Sequence, residues 1–439
     1  MPAAPAHSSE AALRTRFRWI VCALLFAATT INYIDRQILA LLKPALDHDL
    51  GWTNAQYGEI NSAFQATYAI SYVAFGWFID RVGIRLGYSI SIACWSLAAL
   101  AHGFVGSVRG FFFARLALGA GEGGNFPACI KAIAHWFPPR ERAFAASLFN
   151  SGPNIAAIVA PAIVPWIALR FGWQICFVAA GAAGFAWLFF WVPLYRNEPA
   201  ASRFVSTGER NLIESDRAHT DAAAGQIGWL ALFGYRQTWA IVLAKFLTDP
   251  VWWFFLIWLP DFFKKTRGLD LKNSWVQLVM IYAIATVLSL GGGWLSGDFI
   301  RRGWTTTRAR KTAMLLFALA VIPVVFAPQS AEWLAVCLIG LAGAAHQAWS
   351  ATIYASTSDM FPRKSIAAIA GISGMAGSVG GIIFPTFAGK LLDHYHATAA
   401  GESAGYAILF TICGSAYVVA FLVNHLLARR YDPIPPVNC

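Results

Sequence analysis

The chain has 439 residues, 58% of them hydrophobic and 13% charged, with a formal net charge of +11 and a mean hydropathy of +0.54. Soluble domains carry about 25% charged residues, so a roughly twofold depletion excludes an ordinary soluble globular fold. Apolar runs of about 20 residues recur from end to end, and 19 tryptophans suit a protein with two water–lipid boundaries to mark.

The polar N-tail, 1–18, ends in Arg14, Arg16 and Arg18 and leads into an apolar stretch too long for the core of a cleavable signal peptide. Six spans are predicted within 19–195, near 19–42, 56–79, 88–108, 110–134, 143–168 and 173–195. The segment 196–237 is the one long polar break. Its Ser206-Thr207-Gly208-Glu209-Arg210 run reads as the N-capped start of a short surface helix. Six more spans are predicted within 238–428, near 238–263, 274–299, 312–328, 331–356, 365–391 and 404–428, followed by a C-tail, 429–439. The expectation is an all-α integral membrane protein with twelve transmembrane helices in two six-helix bundles joined by a linker.

Basic residues crowd alternate loops: the N-tail, Arg81/Arg85, Arg140/Arg142, the linker, Arg301/Arg302/Arg308/Arg310/Lys311, Arg363/Lys364 and Arg429/Arg430. The positive-inside rule makes that side cytoplasmic, with both termini inside and the inner membrane as the location. Lys264, Lys265, Arg267 and Lys272 fall on the other side and break the pattern. Topology thus accounts for the positive charge, and no nucleic-acid partner is expected.

The halves echo one another. Gly76-Trp77-Phe78-Ile79-Asp80-Arg81-Val82-Gly83-Ile84-Arg85 follows the second span, and Gly293-Trp294-Leu295-Ser296-Gly297-Asp298-Phe299-Ile300-Arg301-Arg302 follows the eighth. Phe137-Pro138-Pro139-Arg140-Glu141-Arg142 and Phe361-Pro362-Arg363-Lys364 repeat after the fourth and tenth. Parallel repeats of this kind place a site between the halves near mid-bilayer.

Charge inside the spans points to the same place. Arg115 and Glu122 lie seven residues apart in the fourth span, about two helical turns, so both leave one face. A charge at the bilayer centre costs about 3 kcal/mol even on the lenient insertion scale. Asp35-Arg36 in the first span supplies a second cation–carboxylate set. Structural pairing of Arg115 with Glu122 and of Arg36 with Asp35 is compatible with a binding site, because alternating partners could couple one event to another.

The Asp80-Arg81-x-Gly-x-Arg motif, its echo and the twelve-span layout resemble the major facilitator superfamily. Asn32-Tyr33-Ile34-Asp35-Arg36, Arg115 to Glu122, and Trp136-Phe137-Pro138-Pro139-Arg140-Glu141-Arg142 resemble its anion:cation symporter family. Lys245-Phe246-Leu247-Thr248-Asp249-Pro250-Val251-Trp252, and Ala345-His346-Gln347-Ala348-Trp349-Ser350 with Ser358-Asp359-Met360-Phe361, are similar to its hexuronate (galacturonate/glucuronate) branch.

The resemblance implies a proton-coupled symporter importing a sugar-acid anion by alternating access, monomeric by family default, with no cofactor. Arg36 and Arg115 are implied to line the cavity, one of them contacting the substrate carboxylate; a guanidinium forks onto a carboxylate and stays charged. By the same resemblance Glu122 carries the principal proton and Asp35 helps couple it; a buried carboxyl near an arginine is held between opposing influences. Tyr33 and Tyr68 match site-flanking tyrosines of sugar-acid members, and Gln65 lies about one turn before Tyr68. Second-half candidates for substrate contact are Trp252, Trp253, His346, Gln347 and Tyr354. Where some members carry a fifth-span glutamine, this chain has Pro153 followed by Asn154, and Asn150 and Asn154 can replace it. Lys245 and Asp249, four apart, read as a helix-face ion pair.

Glycines 119, 121, 123 and 124, and 371, 374, 377 and 381, put small faces on the fourth and eleventh spans. Pro127, Pro153, Pro161 and Pro385 are expected to kink their helices. Asp80, Arg81, Arg85, Glu141 and Arg142 read as a cytoplasmic gate network that latches the outward-facing state. The seven cysteines are scattered and show no metal spacing. No nucleophile–base set, metal motif or phosphate loop supports an enzyme; the glycines around Glu122 lie inside an apolar helix. An efflux carrier would want a mainly apolar pocket, and a non-transporting sensor a larger appended domain. Galactonate, glucarate and phthalate-like anions remain alternative substrates on the same scaffold.

Overall fold

The structure, a computed structural model, describes residues 16–214, 230–269, 272–398 and 401–434. Most of the N-tail with Arg14, the middle of the linker and the end of the C-tail lie outside the described residues, as do the side chains of Arg140, Arg363 and Lys364. The first group of helices is α1 (Phe17–Leu50), α2 (Asn54–Val82), α3 (Ile84–His102), α4 (Val108–Glu122), α5 (Asn125–Trp136), α6 (Pro139–Asn150), α7 (Gly152–Phe171) and α8 (Trp173–Leu194). A short linker helix, α9 (Thr207–Glu214), follows. The second group is α10 (Arg236–Arg267), α11 (Trp275–Arg301), α12 (Thr306–Val321), α13 (Glu332–Met360), α14 (Arg363–His396) and α15 (Gly401–Leu427).

The fourth and fifth spans are each two helices end to end. Pro127 and Pro153 have no N–H to offer the carbonyls of Gly123 and Phe149, so the hydrogen-bond ladder breaks one turn earlier. Gly123, Gly124 and Ser151 keep right-handed helical dihedrals at the breaks, so α4–α5 and α6–α7 each continue as one rod. Both prolines therefore sit in the first turn of a new helix, not in a helix interior as the kink expectation had it; Pro161 and Pro385 do lie inside α7 and α14. The ninth span ends as a 3-10 segment, Ile322–Gln329.

Ten helices among the described residues are long and apolar enough to cross a bilayer. The two rods that fall short, α2 and α4–α5, complete twelve. α4 and α5 are each shorter than a span, at 15 and 12 residues, and both rods carry the polar and charged residues described below. Large apolar side chains such as Phe113, Phe189, Val287 and Leu426 stand exposed on the outer surface, as lipid contact requires and water does not favour.

Within the first group α1 packs on α7 and α8, α2 on α4, and α3 on α4 and α8. A Cβ on Gly119 would collide with the Phe64 carbonyl, so that glycine lets α4 and α2 touch backbone to backbone. In the second group α10 packs on α14 and α15, and α11 on α13. The groups meet along α2–α14, α1–α10 and α7–α11.

The linker marks one end of the molecule. Glu209 accepts from the backbone N–H groups of Phe17 and Arg18, each at 3.1 Å, and from Arg18 Nη1 at 2.9 Å. Arg18 also pairs with Glu141 at 2.8 Å. The expected surface helix is thus docked through a fully buried carboxylate, which satisfies orphan N–H groups at the start of α1 and favours its positive dipole end.

At the opposite, far end the two groups are sewn together. Lys43 Nζ reaches Asp261 at 2.7 Å, Asp47 at 2.9 Å and Asn54 at 3.0 Å. Tyr57 donates to the Ile257 carbonyl at 2.9 Å, and Asp393 accepts from the N–H groups of Asn54 and Ala55 at 2.9 and 2.8 Å. Leu39, Leu42, Tyr57 and Ile60 of the first group share one buried apolar cluster with Phe254, Trp258 and Phe262 of the second. Phe17, Val21, Leu25, Tyr68 and Trp136, nearer the linker, belong to a separate cluster confined to the first group. The far end is therefore closed in this conformation. Three basic residues that break the loop-charge pattern have structural partners there: Lys264 bonds the Pro44 carbonyl, Lys265 pairs with Glu402, and Arg267 bonds the carbonyls of Ala327 and Pro328.

A buried ion-pair cavity between the two halves

α1, α2, α4 and α10 bring their polar residues to one place. A narrow cavity of about 20 Å³ is lined by Tyr33, Arg36, Asn61, Gln65, Arg115 and Trp253, with Gln37, Phe64, Leu256 and Ile257 completing the wall. Asp35, Arg36, Arg115 and Glu122 are all buried.

Their pairing crosses between helices. Arg36 Nε meets Glu122 Oε2 at 2.6 Å, and Arg115 Nη2 donates to the Arg36 carbonyl at 3.0 Å. The same-helix pairs, Arg115 with Glu122 and Arg36 with Asp35, do not form. Seven residues along a helix place Arg115 and Glu122 on one face but about 10 Å apart in rise, and that face is turned towards α1, where Arg36 lies between them.

The guanidinium of Arg36 sits in an aromatic cage: 4.5 Å from the Tyr33 ring, 4.4 Å from Tyr68, 5.2 Å from Phe64 and 5.9 Å from Trp253 of the second group. Rings at this range stabilise a desolvated cation without consuming its hydrogen-bond donors. Both terminal nitrogens of Arg36 lack a hydrogen-bond partner, as do Arg115 Nε, Glu122 Oε1, both Asp35 oxygens and Gln65 Oε1. Buried polar groups are nearly always satisfied, and each exception calls for a partner. Arg36, Arg115 and Gln65 all line the one cavity, so unmet donors and an unmet acceptor converge there, which is the signature of a site built for a polar, charged ligand.

The second group contributes unevenly. Gln347 Nε2 donates to Asn154 Oδ1 at 3.3 Å, joining α13 to α7 across the interface. Asn150 lies at the exposed end of α6, one turn before Asn154 along the α6–α7 rod. His346 shares a hydrogen bond of 2.6 Å with the Tyr417 hydroxyl and stacks on Trp252 with centroids 5.2 Å apart. That arrangement suits a satisfied core histidine. Tyr354 is 42% exposed.

The five gate residues do not bond to one another in this conformation. Asp80 pairs with Lys131, Arg81 stacks over Trp77 at 4.1 Å, and Arg85 donates to the Val192 carbonyl. Glu141 pairs with Arg18, and Arg142 donates to the carbonyls of Phe137 and Ala134.

Asn61, Gln37, Lys43, Asp261 and Lys131 escaped sequence reasoning. Asn61 was within reach of it, because Asn61, Gln65 and Tyr68 fall at helical spacing on one face of α2.

Twelve helical rods in two packed groups, lipid-compatible outside and carrying a buried charged cavity between them, define a membrane carrier and not an enzyme. The model of the Major Facilitator Superfamily matches residues 25–385, and the chain belongs to that family of transporters. It is 30% identical over 413 residues to the hexuronate transporter of Escherichia coli strain K12, covering 93% of this chain and 94% of the relative. It is 28% identical over 401 residues to the D-galactonate transporter of Escherichia coli O6:H1, covering 88% and 92%. Among solved structures, a bacterial homologue of the human lysosomal transporter Spinster, in an inward-facing and occupied conformation, matches with a TM-score of 0.74 at 18% identity, covering 94% of this chain and 97% of that one.

Proposed function

We propose that this transporter imports a hexuronate such as galacturonate or glucuronate together with a proton, by alternating access, across the bacterial inner membrane. The observation that carries this reading is the Arg36–Glu122 pair in a cavity whose remaining guanidinium donors are unmet. Arg36 and Arg115 hold the substrate carboxylate; Glu122 holds the proton, assisted by Asp35. Protonating Glu122 removes the charge that occupies Arg36, and the freed guanidinium turns to the incoming carboxylate. Proton and substrate then load together, because each makes room for the other.

The likeness to hexuronate and galactonate transporters supports a sugar acid as the cargo. Tyr33, Tyr68, Gln65, Gln347 and Asn154 supply hydroxyl-reading groups and rings. Loop charge supports placing the linker end and both termini in the cytoplasm, which makes the conformation with a closed far end inward-facing.

The test is uptake of radiolabelled galacturonate into proteoliposomes under an inward proton gradient. Accumulation that a protonophore abolishes is expected. Movement of other organic anions with no sugar acid carried would overturn the substrate, and accumulation driven by a sodium gradient alone would overturn the coupling.

A further inference from the structure

Among the described residues, the most buried charge pair in the second group away from the far end is Lys245–Asp249, on α10. The two side chains pair at 2.9 Å and are 7% and 17% exposed. Lys245 Nζ also donates to Ser350 Oγ at 3.3 Å and lies 5.1 Å from the Tyr354 ring. The pair stands on the face of α10 that supplies Trp253 to the wall of the Arg36 cavity. Lys245, Asp249 and Trp253 follow at four-residue spacing on one face of α10, and Trp253 is the residue that reaches Arg36. Tyr354 and Ser350 place α13 against the Lys245 end of this face. From Trp253 to Lys245 the helix rises about 12 Å, so the pair stands about two turns along one helix face from the residue that touches Arg36. α14 lies directly on this face: a Cβ on Gly377 would strike the Asp249 carboxylate, and one on Gly381 would come within 2.9 Å of Trp253.

The two charge sets differ in balance. Near Arg36, two guanidiniums face two carboxylates and have donors to spare. At Lys245–Asp249 one ammonium is matched by one carboxylate in direct contact. A matched pair of this kind presents a donor and an acceptor side by side with no net charge, and the group that satisfies both is a hydroxyl or a vicinal diol. A second carboxylate would meet Asp249 at close range, and like charges there are costly.

We propose that Lys245 and Asp249 form the hydroxyl-reading end of the site and restrict the cargo to polyhydroxylated monocarboxylates, excluding dicarboxylic sugar acids. The inference rests on the proposed carboxylate grip by Arg36 and Arg115. Lys245 donates to one hydroxyl of the sugar, Asp249 accepts from its neighbour, and Asp249 repels any second carboxylate.

The experiment is proteoliposome counterflow of radiolabelled galacturonate, competed with excess unlabelled galacturonate, galactarate or hexanoate. For the unsubstituted protein galacturonate should compete at least about tenfold better than galactarate. Asp249→Asn leaves the Lys245 charge unmatched, and galactarate should gain about tenfold relative to galacturonate. The Lys245→Gln/Asp249→Asn double variant, with no net charge change, should weaken galacturonate about tenfold and leave the weak competition by hexanoate, which has no hydroxyls, unchanged. A galacturonate-to-galactarate ratio that stays constant across all three proteins, or equal losses for galacturonate and hexanoate in the double variant, would assign the pair a structural role and overturn the inference. Absence of galacturonate exchange in the unsubstituted protein would instead strike the proposed function.

Discussion

Lys43 of α1 and Asp261 of α10 meet at 2.7 Å across the interface between the halves, 1% and 0% exposed at the side chain. All three ammonium donors of Lys43 are used, and Tyr406 donates to the second oxygen of Asp261 at 2.5 Å. Removing one member of such a pair strands the other in an apolar interior, which costs about 3–5 kcal/mol. In the proposed alternating-access cycle this end opens, so the pair is expected to set the balance between its conformations.

Lys43→Met should therefore shift the population towards the state open at the far end. Spin-label distances between far-end positions on α2 and α14 would report it as a longer-distance component. The Lys43→Met/Asp261→Leu double variant should recover much of the closed population, because an apolar replacement of both members removes the stranded charge. Identical distance distributions in the single variant and the unsubstituted protein would remove the pair from the gating equilibrium.

Glu122→Gln takes away the charged partner of Arg36 while keeping the size of the side chain. Gradient-driven accumulation should be abolished, and counterflow exchange, which needs no net proton movement, should persist. Equal loss of both activities would point to a binding or folding role for Glu122.

Glu209→Ala should lower thermal stability without touching the cavity. It removes two backbone caps and one of the two ion pairs of Arg18 at the start of α1, a loss of about 1–2 kcal/mol by the cost of removing a helix cap. The midpoint in a detergent-solubilised melt should fall by several degrees. An unchanged midpoint would mean that the linker helix does not hold α1 in solution.

Asp80→Asn should leave the protein inserted and slow its transport, since Asp80 belongs to the motif expected to latch the other conformation. Its ion pair with Lys131 is largely exposed here, and exposed pairs contribute about 0–1 kcal/mol, so stability should barely change. Uptake kinetics equal to those of the unsubstituted protein would argue against a latch.

Much of this arrangement was legible from the chain alone. Bilayer thickness imposes a length and apolarity on every span, so the rods could be counted. The same constraint makes Arg115, Glu122, Asp35 and Arg36 conspicuous, because charge inside an apolar span is costly enough to need a reason. Helical spacing placed Arg115 and Glu122 on a common face, and the structure turns that face towards α1.

What spacing along one helix cannot contain is the choice of partner on another. Arg36 bonds Glu122 and not Asp35 because the glycine-lined approach of α4 to its neighbours sets where the carboxylate arrives. The Lys43–Asp261 contact joins residues 218 positions apart, each close enough to a span end to pass for an ordinary boundary charge. Glu209 reads as surface because only the docking of α9 buries it. Chain chemistry determined that charge would be buried near mid-membrane; the packing of α1, α2, α4 and α10 decided which charges meet, because ion pairing at about 3 Å depends on helix rotation and approach that no local pattern encodes.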